Sequence, residues 1–174
     1  MLRIGVVSDT HLPRFGRALP RALLAGLTDA RVDRVLHLGD WTSELAWDLL
    51  AAVAPIDGVA GNNDPPALAD RLGLVKVIET DGVRLGLTHG HLGSGRTSRE
   101  RARSTFTGEA GLAAILFGHS HIPLVERRSD GPWLINPGSP TDKRQQPRYT
   151  WVLLMLGDGG IVHAELRAYD DRSP

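Results

Sequence analysis

Short runs of apolar residues recur along the chain, and most of them are too short and too rich in branched residues to be helices. They are Ile4–Val7, Val35–Leu38, Leu85–Leu87, Ala113–Phe117 and Trp133–Ile135. Continuous apolarity over a few residues is typical of strands that are covered on both faces. These runs therefore predict strands that are buried between other layers of the fold.

Two stretches between the early runs carry apolar residues at helical spacing. They contain Leu19, Leu23, Leu24 and Leu27 in the first and Leu45, Leu49, Leu50 and Val53 in the second. The second stretch has Thr42 or Ser43 as a candidate N-cap and Pro55 just beyond its end. Because strands and helices alternate here, we expect a mainly parallel sheet with helices outside it.

Two later segments predict antiparallel hairpins. Asp81-Gly82 separates the strand-like residues 75–79 and 83–87, and the glycine-rich residues 157–160 separate residues 151–156 from 161–166. Both patterns fit the α/β class, as a four-layer αββα sandwich of two mixed β-sheets flanked by helices. We predict one such domain over residues 1–174.

Composition excludes several classes of function. The 174 residues are 41% hydrophobic and 23% charged, which is ordinary for a globular domain. Twenty basic residues balance twenty acidic ones, so no global field attracts a stable nucleic-acid partner or a membrane. The absence of cysteine excludes disulfides and thiolate metal sites. No apolar run approaches the ~20 residues of a membrane span, and the first run is too short for a signal peptide, so we expect a cytoplasmic protein.

Candidate metal ligands follow the apolar runs at five places. The segments are Ser8-Asp9-Thr10-His11, Gly39-Asp40, Gly61-Asn62-Asn63-Asp64, Thr88-His89-Gly90-His91 and Gly118-His119-Ser120-His121. Ligands in α/β sheets bind just beyond the carboxyl ends of strands, so we expect these segments to converge. A role in turns would explain the aspartates, but it explains poorly why five of the seven histidines lie here.

Two of the segments contain a pair of histidines with one residue between them. On an extended backbone, an H-x-H pair would point both imidazoles to one face, and Asp9 and His11 would do the same. Several carboxylates and imidazoles in one pocket are unfavourable without positive charge. Two divalent cations that share a carboxylate would supply this charge. Oxygen and nitrogen donors without sulfur suit manganese, iron, zinc or magnesium.

The five segments, in order, resemble the D-x-H, G-D, G-N-x-D, H-G-x and G-H-x-H blocks of the calcineurin-like metallophosphoesterase superfamily. Asn136-Pro137-Gly138-Ser139 resembles the N-P-G-S run of its small bacterial and archaeal phosphodiesterase branch, which includes the retromer-subunit fold. The resemblance implies a two-layered β-sandwich flanked by helices. It also implies a phosphoesterase, most often a phosphodiesterase, whose nucleophile is a hydroxide bridging two divalent metals.

The same resemblance assigns roles residue by residue. It implies that Asp9, His11 and His121 hold the first metal, that Asn62, His89 and His119 hold the second, and that Asp40 bridges them. Asn62, Asn63 and His91 are the catalytic candidates. Manganese is the first expectation for the metals, with zinc, iron, nickel or magnesium as alternatives. The expected partner is a small phosphoester substrate, with nucleotide-derived esters and a homo-oligomer left open.

One position departs from the family pattern. Many members carry histidine where this chain has Asn63, and an amide can donate a hydrogen bond but cannot act as a general acid. His91, water or the substrate would then supply the proton, unless His91 only supports the ligands. The departure also leaves open a protein-binding scaffold with weak or lost catalysis, or a metal-storage protein.

Two further signals have competing explanations. Residues 90–97 nearly match the phosphate-binding loop G-x-x-x-x-G-K-[ST], but Arg96 stands where that loop has lysine, and we interpret the match as a coincidence. Trp41, next to Asp40, either lines the pocket or packs in the core.

Overall fold

The computed structural model describes residues 1–174 as two β-sheets and four helices. The strands are β1 (Leu2–Val7), β2 (Arg34–Leu38), β3 (Ile56–Val59), β4 (Val75–Thr80), β5 (Val83–Thr88), β6 (Leu112–Leu116), β7 (Leu124–Glu126), β8 (Trp133–Asn136), β9 (Tyr149–Gly157) and β10 (Gly160–Tyr169). The helices are α1 (Arg21–Asp29), α2 (Leu45–Ala51), α3 (Pro66–Leu72) and α4 (Ser98–Thr105). None of the four helices has the length and apolarity that crossing a membrane requires.

Each sheet combines parallel and antiparallel pairing. The first has the order β10-β9-β1-β2-β3, in which β1, β2 and β3 are parallel and β9 runs antiparallel to β1. The second has the order β4-β5-β6-β8-β7, in which β5, β6 and β8 are parallel and both edge strands are antiparallel. Both predicted hairpins are confirmed, as β4–β5 and β9–β10.

Apolar side chains fill three interfaces, which gives the predicted four layers. Ile4 and Leu38 of the first sheet pack against Leu85 and Leu116 of the second, in the core between the sheets. Helices α1, α2 and α3 cover the outer face of the first sheet, and α4 covers the outer face of the second. The αββα sandwich of two mixed sheets is therefore confirmed.

Two local expectations are wrong. Helix α1 begins at Arg21, because Pro20 precedes it with extended backbone, so Leu19 lies outside the helix although its side chain is buried. The N-cap position of α2 is Glu44 and not Thr42 or Ser43, although Ser43 Oγ accepts the backbone N–H of Leu45 at 3.3 Å in the first turn. The hydroxyls of Thr42 and Ser43 also donate to the Leu12 carbonyl oxygen, at 2.6 and 2.7 Å. These bonds join the loop after β2 to the loop after β1.

Candidate metal centre

The polar segments that follow the parallel strands converge at one edge of the sandwich. Asp9 and His11 come after β1, and Asp40 comes after β2 in the same sheet. Residues from the second sheet, after β5 and β6, complete two clusters, Asp9–His11–His121 and Asp40–His89–His119. Within each cluster the potential ligand atoms lie within 4.8 Å of one another. Six of the seven predicted metal ligands therefore meet as two adjacent groups of three.

Most of the backbone that presents these ligands is not extended, although Asp9 and His11 still enter one cluster as expected; the expected geometry is wrong for the pair His119 and His121. Five of the residues have left-handed backbone: Asp9 (φ 57°), His11 (φ 47°), Asp40 (φ 59°), His119 (φ 70°) and His121 (φ 59°). As a result, His119 and His121 enter different clusters instead of sharing one face. Such conformations cost about 1–3 kcal/mol each when the residue is not glycine, and they persist where surrounding bonds enforce them.

The carboxylate of Asp9 has an unsatisfied oxygen at the centre of the site. Asp9 is fully buried, and its Oδ1 atom has no hydrogen-bond partner. That oxygen lies 3.3 Å from His121 Nε2 and 3.8 Å from both His11 Nε2 and His89 Nε2. A buried carboxylate oxygen without a partner is unfavourable unless a cation compensates it. The residues present therefore fit a divalent metal.

Hydrogen bonds on the far side of two imidazoles orient their rings. Nδ1 of His89 lies 2.7 Å from the Leu38 carbonyl oxygen, and Nδ1 of His121 lies 2.5 Å from the Asp142 carbonyl oxygen. A proton on Nδ1 that is donated to these carbonyls leaves Nε2 facing the carboxylates. This is the arrangement that metal-binding histidines commonly have.

The charges of Asp9, Asp40 and His89 are coupled. Burial alone lowers the pKa of His89, but the charge of Asp9 and the contact with Asp40 raise it to about 9. Burial opposes ionisation of Asp40 as well, yet His89 and Asn63 hold its pKa well below the usual range. Burial also disfavours the charged form of His121, but its bond to Asp9 raises its pKa, so without a metal His89 and His121 are the groups whose protonation would compensate the two carboxylates. A bound cation would take over that compensation.

Two of the three catalytic candidates, Asn63 and His91, contact or lie next to residues of the second cluster. Asn63 donates from its backbone N–H to Asp40 Oδ1 at 3.0 Å and from Nδ2 to Asp40 Oδ2 at 2.7 Å. Asn62 is exposed and follows Gly61, where a Cβ would overlap Asp40 Oδ1. The His91 ring is centred 5.5 Å from that of His89, and its Nδ1 is buried without a partner.

Asp64 is a positioning residue for which the sequence analysis assigned no role, although it closes the G-N-x-D block. Its carboxylate accepts hydrogen bonds from the backbone N–H groups of Thr42 (2.6 Å), Gly61 (2.7 Å) and Asp40 (3.0 Å). These bonds fix the loop after β2 to the loop after β3. Burial raises the pKa of Asp64 despite them.

The N-P-G-S run connects the two sheets at the site. Asn136 Nδ2 donates to the Gly118 carbonyl oxygen at 3.0 Å and to Ser120 Oγ at 3.1 Å, which holds the turn that carries His119 and His121. Ser139 Oγ donates to the Asp9 carbonyl oxygen at 2.8 Å. Loops that carry ligands from both sheets are thus held by one segment that begins at the end of β8.

The structure decides between the explanations given for residues 90–97 and for Trp41. Glu100 accepts the backbone N–H groups of Arg96 and Thr97 at 2.7 and 3.0 Å and forms a capping box with Thr97 at the start of α4. Two of the amides that a phosphate-binding loop would offer are therefore occupied by Glu100, and the Ser94 amide donates to Ser104 Oγ. Trp41 is buried, stacks on His37 with ring centres 3.7 Å apart and donates to the Val59 carbonyl oxygen, so it belongs to the core.

The sequence was compared with known protein families, and the match agrees with the two ligand clusters described above. Residues 2–159 match the model of the calcineurin-like phosphoesterase superfamily domain, which is most of the chain. The chain belongs to this superfamily. Within it, a probable metallophosphoesterase of Methanothermobacter thermautotrophicus is 34% identical over 166 residues, covering 94% of this chain and 90% of the relative.

Other relatives in the superfamily are vacuolar protein sorting proteins. Vacuolar protein sorting-associated protein 29 of Schizosaccharomyces pombe is 27% identical over 137 residues, which are 78% of this chain and 71% of the relative. The crystal structure of wild-type Vps29 from Entamoeba histolytica complexed with zinc is 23% identical, covers 97% of this chain and 99% of that one, and has a TM-score of 0.76. At this identity the structural likeness shows the shared fold.

Proposed function

We propose that the protein is a metal-dependent phosphoesterase, with phosphodiesters as its preferred substrates and two divalent cations at the converging strand ends. The observation that carries the proposal is the unsatisfied Asp9 Oδ1, buried among three imidazole nitrogens beside a second cluster of the same chemistry. Membership of the superfamily supports hydrolysis of phosphoester bonds in general. The preference for diesters and the use of two metals are the finer parts of the proposal.

Each cluster supplies three ligands, and Asn62 is the one further ligand of the proposal. In this proposal Asp9, His11 and His121 hold one cation, Asn62, His89 and His119 hold the other, and Asp40 contacts both. When bound, the cations supply positive charge for the phosphoryl oxygens and lower the pKa of a coordinated water to near 7. Manganese is the metal we propose, because imidazole and carboxylate donors without sulfur suit it. Zinc is the alternative, and the E. histolytica Vps29 structure contains it.

The residues of the chain position the reacting groups. Asn63 donates two hydrogen bonds to Asp40 and so fixes the carboxylate that both cations would share. Its amide cannot release a proton to a leaving group, and we propose that His91, on the same side, interacts with substrate there. Esters with good leaving groups, which depart without a proton, should therefore react fastest.

Hydrolysis of bis-p-nitrophenyl phosphate by the manganese-loaded protein tests the proposal. We expect turnover and two manganese ions per chain by elemental analysis, and we expect Asp40→Ala and His89→Ala to reduce turnover to background. His163→Ala is the matched control, because His163 is exposed on β10 and pairs only with Glu165. Metal-saturated protein that cleaves no phosphomonoester, phosphodiester or cyclic nucleotide would contradict the proposal.

A protein-binding scaffold is the second candidate function. Two observations favour it: Asn63 replaces the histidine that many superfamily members carry, and the fold matches Vps29 structures along nearly the whole chain. Retention of the other ligands favours the enzyme. Folded, metal-saturated protein without turnover would support the scaffold. The cytoplasmic location and a homo-oligomer stay predictions.

A further inference from the structure

An aromatic residue with two arginines around it lies beside the first cluster. The ring of Phe15 meets that of His11 edge-on, with centres 6.2 Å apart. The guanidinium carbons of Arg14 and Arg172 each lie 5.4 Å from the centre of the Phe15 ring. Guanidinium groups are attracted to aromatic faces at this distance. We call Arg14, Phe15 and Arg172 the Phe15 rim.

Backbone contacts hold Arg172 in place although it is distant from His11 in sequence. Its Nη1 donates to the Thr141 carbonyl oxygen at 3.0 Å, and Thr141 Oγ1 donates to the Thr10 carbonyl oxygen at 2.8 Å. The backbone N–H of Arg21 donates to the Ser173 carbonyl oxygen at 2.9 Å. The segment after β10 is therefore anchored to the loop that carries Asp9 and His11.

Neither of the two arginines of the rim has an acidic partner, whereas Arg144 and Arg148 do. Arg144 lies 3.8 Å from Asp142, and Arg148 lies 2.9 Å from Asp170. No carboxylate lies within 4.0 Å of the Arg14 or Arg172 guanidinium groups, and both residues are exposed. In a chain of zero net charge, this is a local excess of positive charge directly beside the candidate metal centre.

A simple phosphodiester would not use this charge. Its phosphoryl group carries one negative charge, which the cations at the clusters would bind. Two guanidinium groups held by an aromatic ring match a further phosphate, because their planar arrays of N–H donors fit phosphate oxygens. We propose that the Phe15 rim binds a second phosphate, so that the substrates are phosphodiesters that carry an additional phosphate group. This inference rests on the proposed function for the cleavage step.

Two substrates that differ only in that phosphate test the inference. They are the 5′-(p-nitrophenyl phosphate) ester of thymidine and the same ester with a 3′-phosphate. For manganese-loaded protein we expect kcat/KM to be about ten-fold higher for the 3′-phosphorylated ester, since charge-assisted hydrogen bonds of this kind typically contribute that much. We expect this preference to shrink at high salt, because both arginines are exposed to solvent.

Variants of Arg14 and Arg172 test whether these arginines cause the preference for the 3′-phosphorylated ester. We expect Arg14→Ala/Arg172→Ala to reduce the ratio of the two kcat/KM values to about one, and each single variant to reduce it about three-fold, half of the tenfold effect on a logarithmic scale. The single variants keep the test valid if the double variant fails to fold. Arg17→Ala is the matched control, because Arg17 is exposed in the same loop, and we expect it to retain the full ratio.

Calorimetry separates failure of this inference from failure of the proposed function. We expect the manganese-loaded protein to bind thymidine 3′,5′-bisphosphate about ten-fold more tightly than thymidine 5′-monophosphate. One outcome would overturn only the rim inference. If bis-p-nitrophenyl phosphate is cleaved, but the two thymidine esters have equal kcat/KM and the two thymidine phosphates bind equally tightly, the rim inference is wrong and the proposed function stands. If nothing is cleaved but the bisphosphate binds more tightly through Arg14 and Arg172, the proposed function is wrong and the rim still binds the second phosphate.

Discussion

The two ligand clusters have the same chemistry but differ in their exposure. Asp9, His11 and His121 are all buried, with 6% as the highest exposed fraction, at His11. In the other cluster, Asp40 and His89 are buried, but His119 is partly exposed. Asn62, the proposed additional ligand, is also exposed. The comparison indicates that the first cluster is enclosed and that the second is open to solvent.

The clusters also differ in how the chain supports them. The backbone of Asp9 receives hydrogen bonds from the hydroxyls of Ser139 and Thr141, and His121 bonds to the Asp142 carbonyl. The second cluster depends on Asp64, which gathers the loops after β2 and β3. Support from three residues of the segment 139–142 should make the first cluster the less adaptable one.

Removing one imidazole from each cluster should have the largest effect. We expect His121→Ala to lower kcat/KM for bis-p-nitrophenyl phosphate by more than about 10³-fold, because the buried Asp9 loses its nearest partner and the first metal. His119→Ala should lower it by about 10²-fold, since water can replace a ligand at an open position. Elemental analysis should find at most one manganese per chain in the His121 variant. Equal losses in both variants would contradict the difference between the clusters.

Replacing Asp64 tests whether its hydrogen bonds to the loops after β2 and β3 support the second cluster. An amide offers one acceptor oxygen where the carboxylate of Asp64 now accepts three backbone N–H groups. We expect Asp64→Asn to reduce activity about 10–100-fold, which is typical of lost support for metal ligands. The free energy of unfolding should fall by about 1–3 kcal/mol in denaturant titrations. Asp70→Asn, at an exposed position of α3, is the control, and a comparable loss there would show that position 64 is not special.

A methyl group at Gly61 tests how closely the loops approach at Asp40. The new Cβ would overlap Asp40 Oδ1 and would lie 2.5 Å from the Asp40 backbone N and 2.9 Å from His89 Cδ2, so Asp40 must move. We expect Gly61→Ala to lower kcat/KM about ten-fold and stability by about 1–3 kcal/mol, as overpacking does. Gly160→Ala should change neither, because its Cβ would contact nothing within 4 Å. Normal activity of Gly61→Ala would mean that Asp40 tolerates displacement.

Restoring histidine at position 63 should have the smallest effect. Asn63→His adds a group that can donate a proton, but it loses the Nδ2 hydrogen bond to Asp40. General acids help most when the leaving group is poor. We therefore expect about a ten-fold gain or less for alkyl phosphodiesters and no gain for p-nitrophenyl esters. A loss with every ester would indicate that the amide at position 63 is needed to hold Asp40.

The sequence predicted the layers of the fold and the segments that converge, because both follow from local patterns. Apolar runs identify buried strands, and the residues after Val7 and Leu38 identify strand ends. The left-handed backbone at Asp9 and His121 could not be predicted in this way, since hydrophobic spacing carries no information about φ. The contact of Arg172 with Phe15 joins distant parts of the chain and has no local signal at all.

The bonds from Asn136 and Ser139 to the loops after β6 and β1 have a consequence for how an ion enters. They join the backbone next to the imidazole donors of one sheet and the backbone of Asp9 in the other sheet to the same short segment. An ion that enters would therefore find the ligand residues already held in position by hydrogen bonds. The speed of loading should follow how quickly the hydrated ion sheds its water, with no rearrangement of the polypeptide.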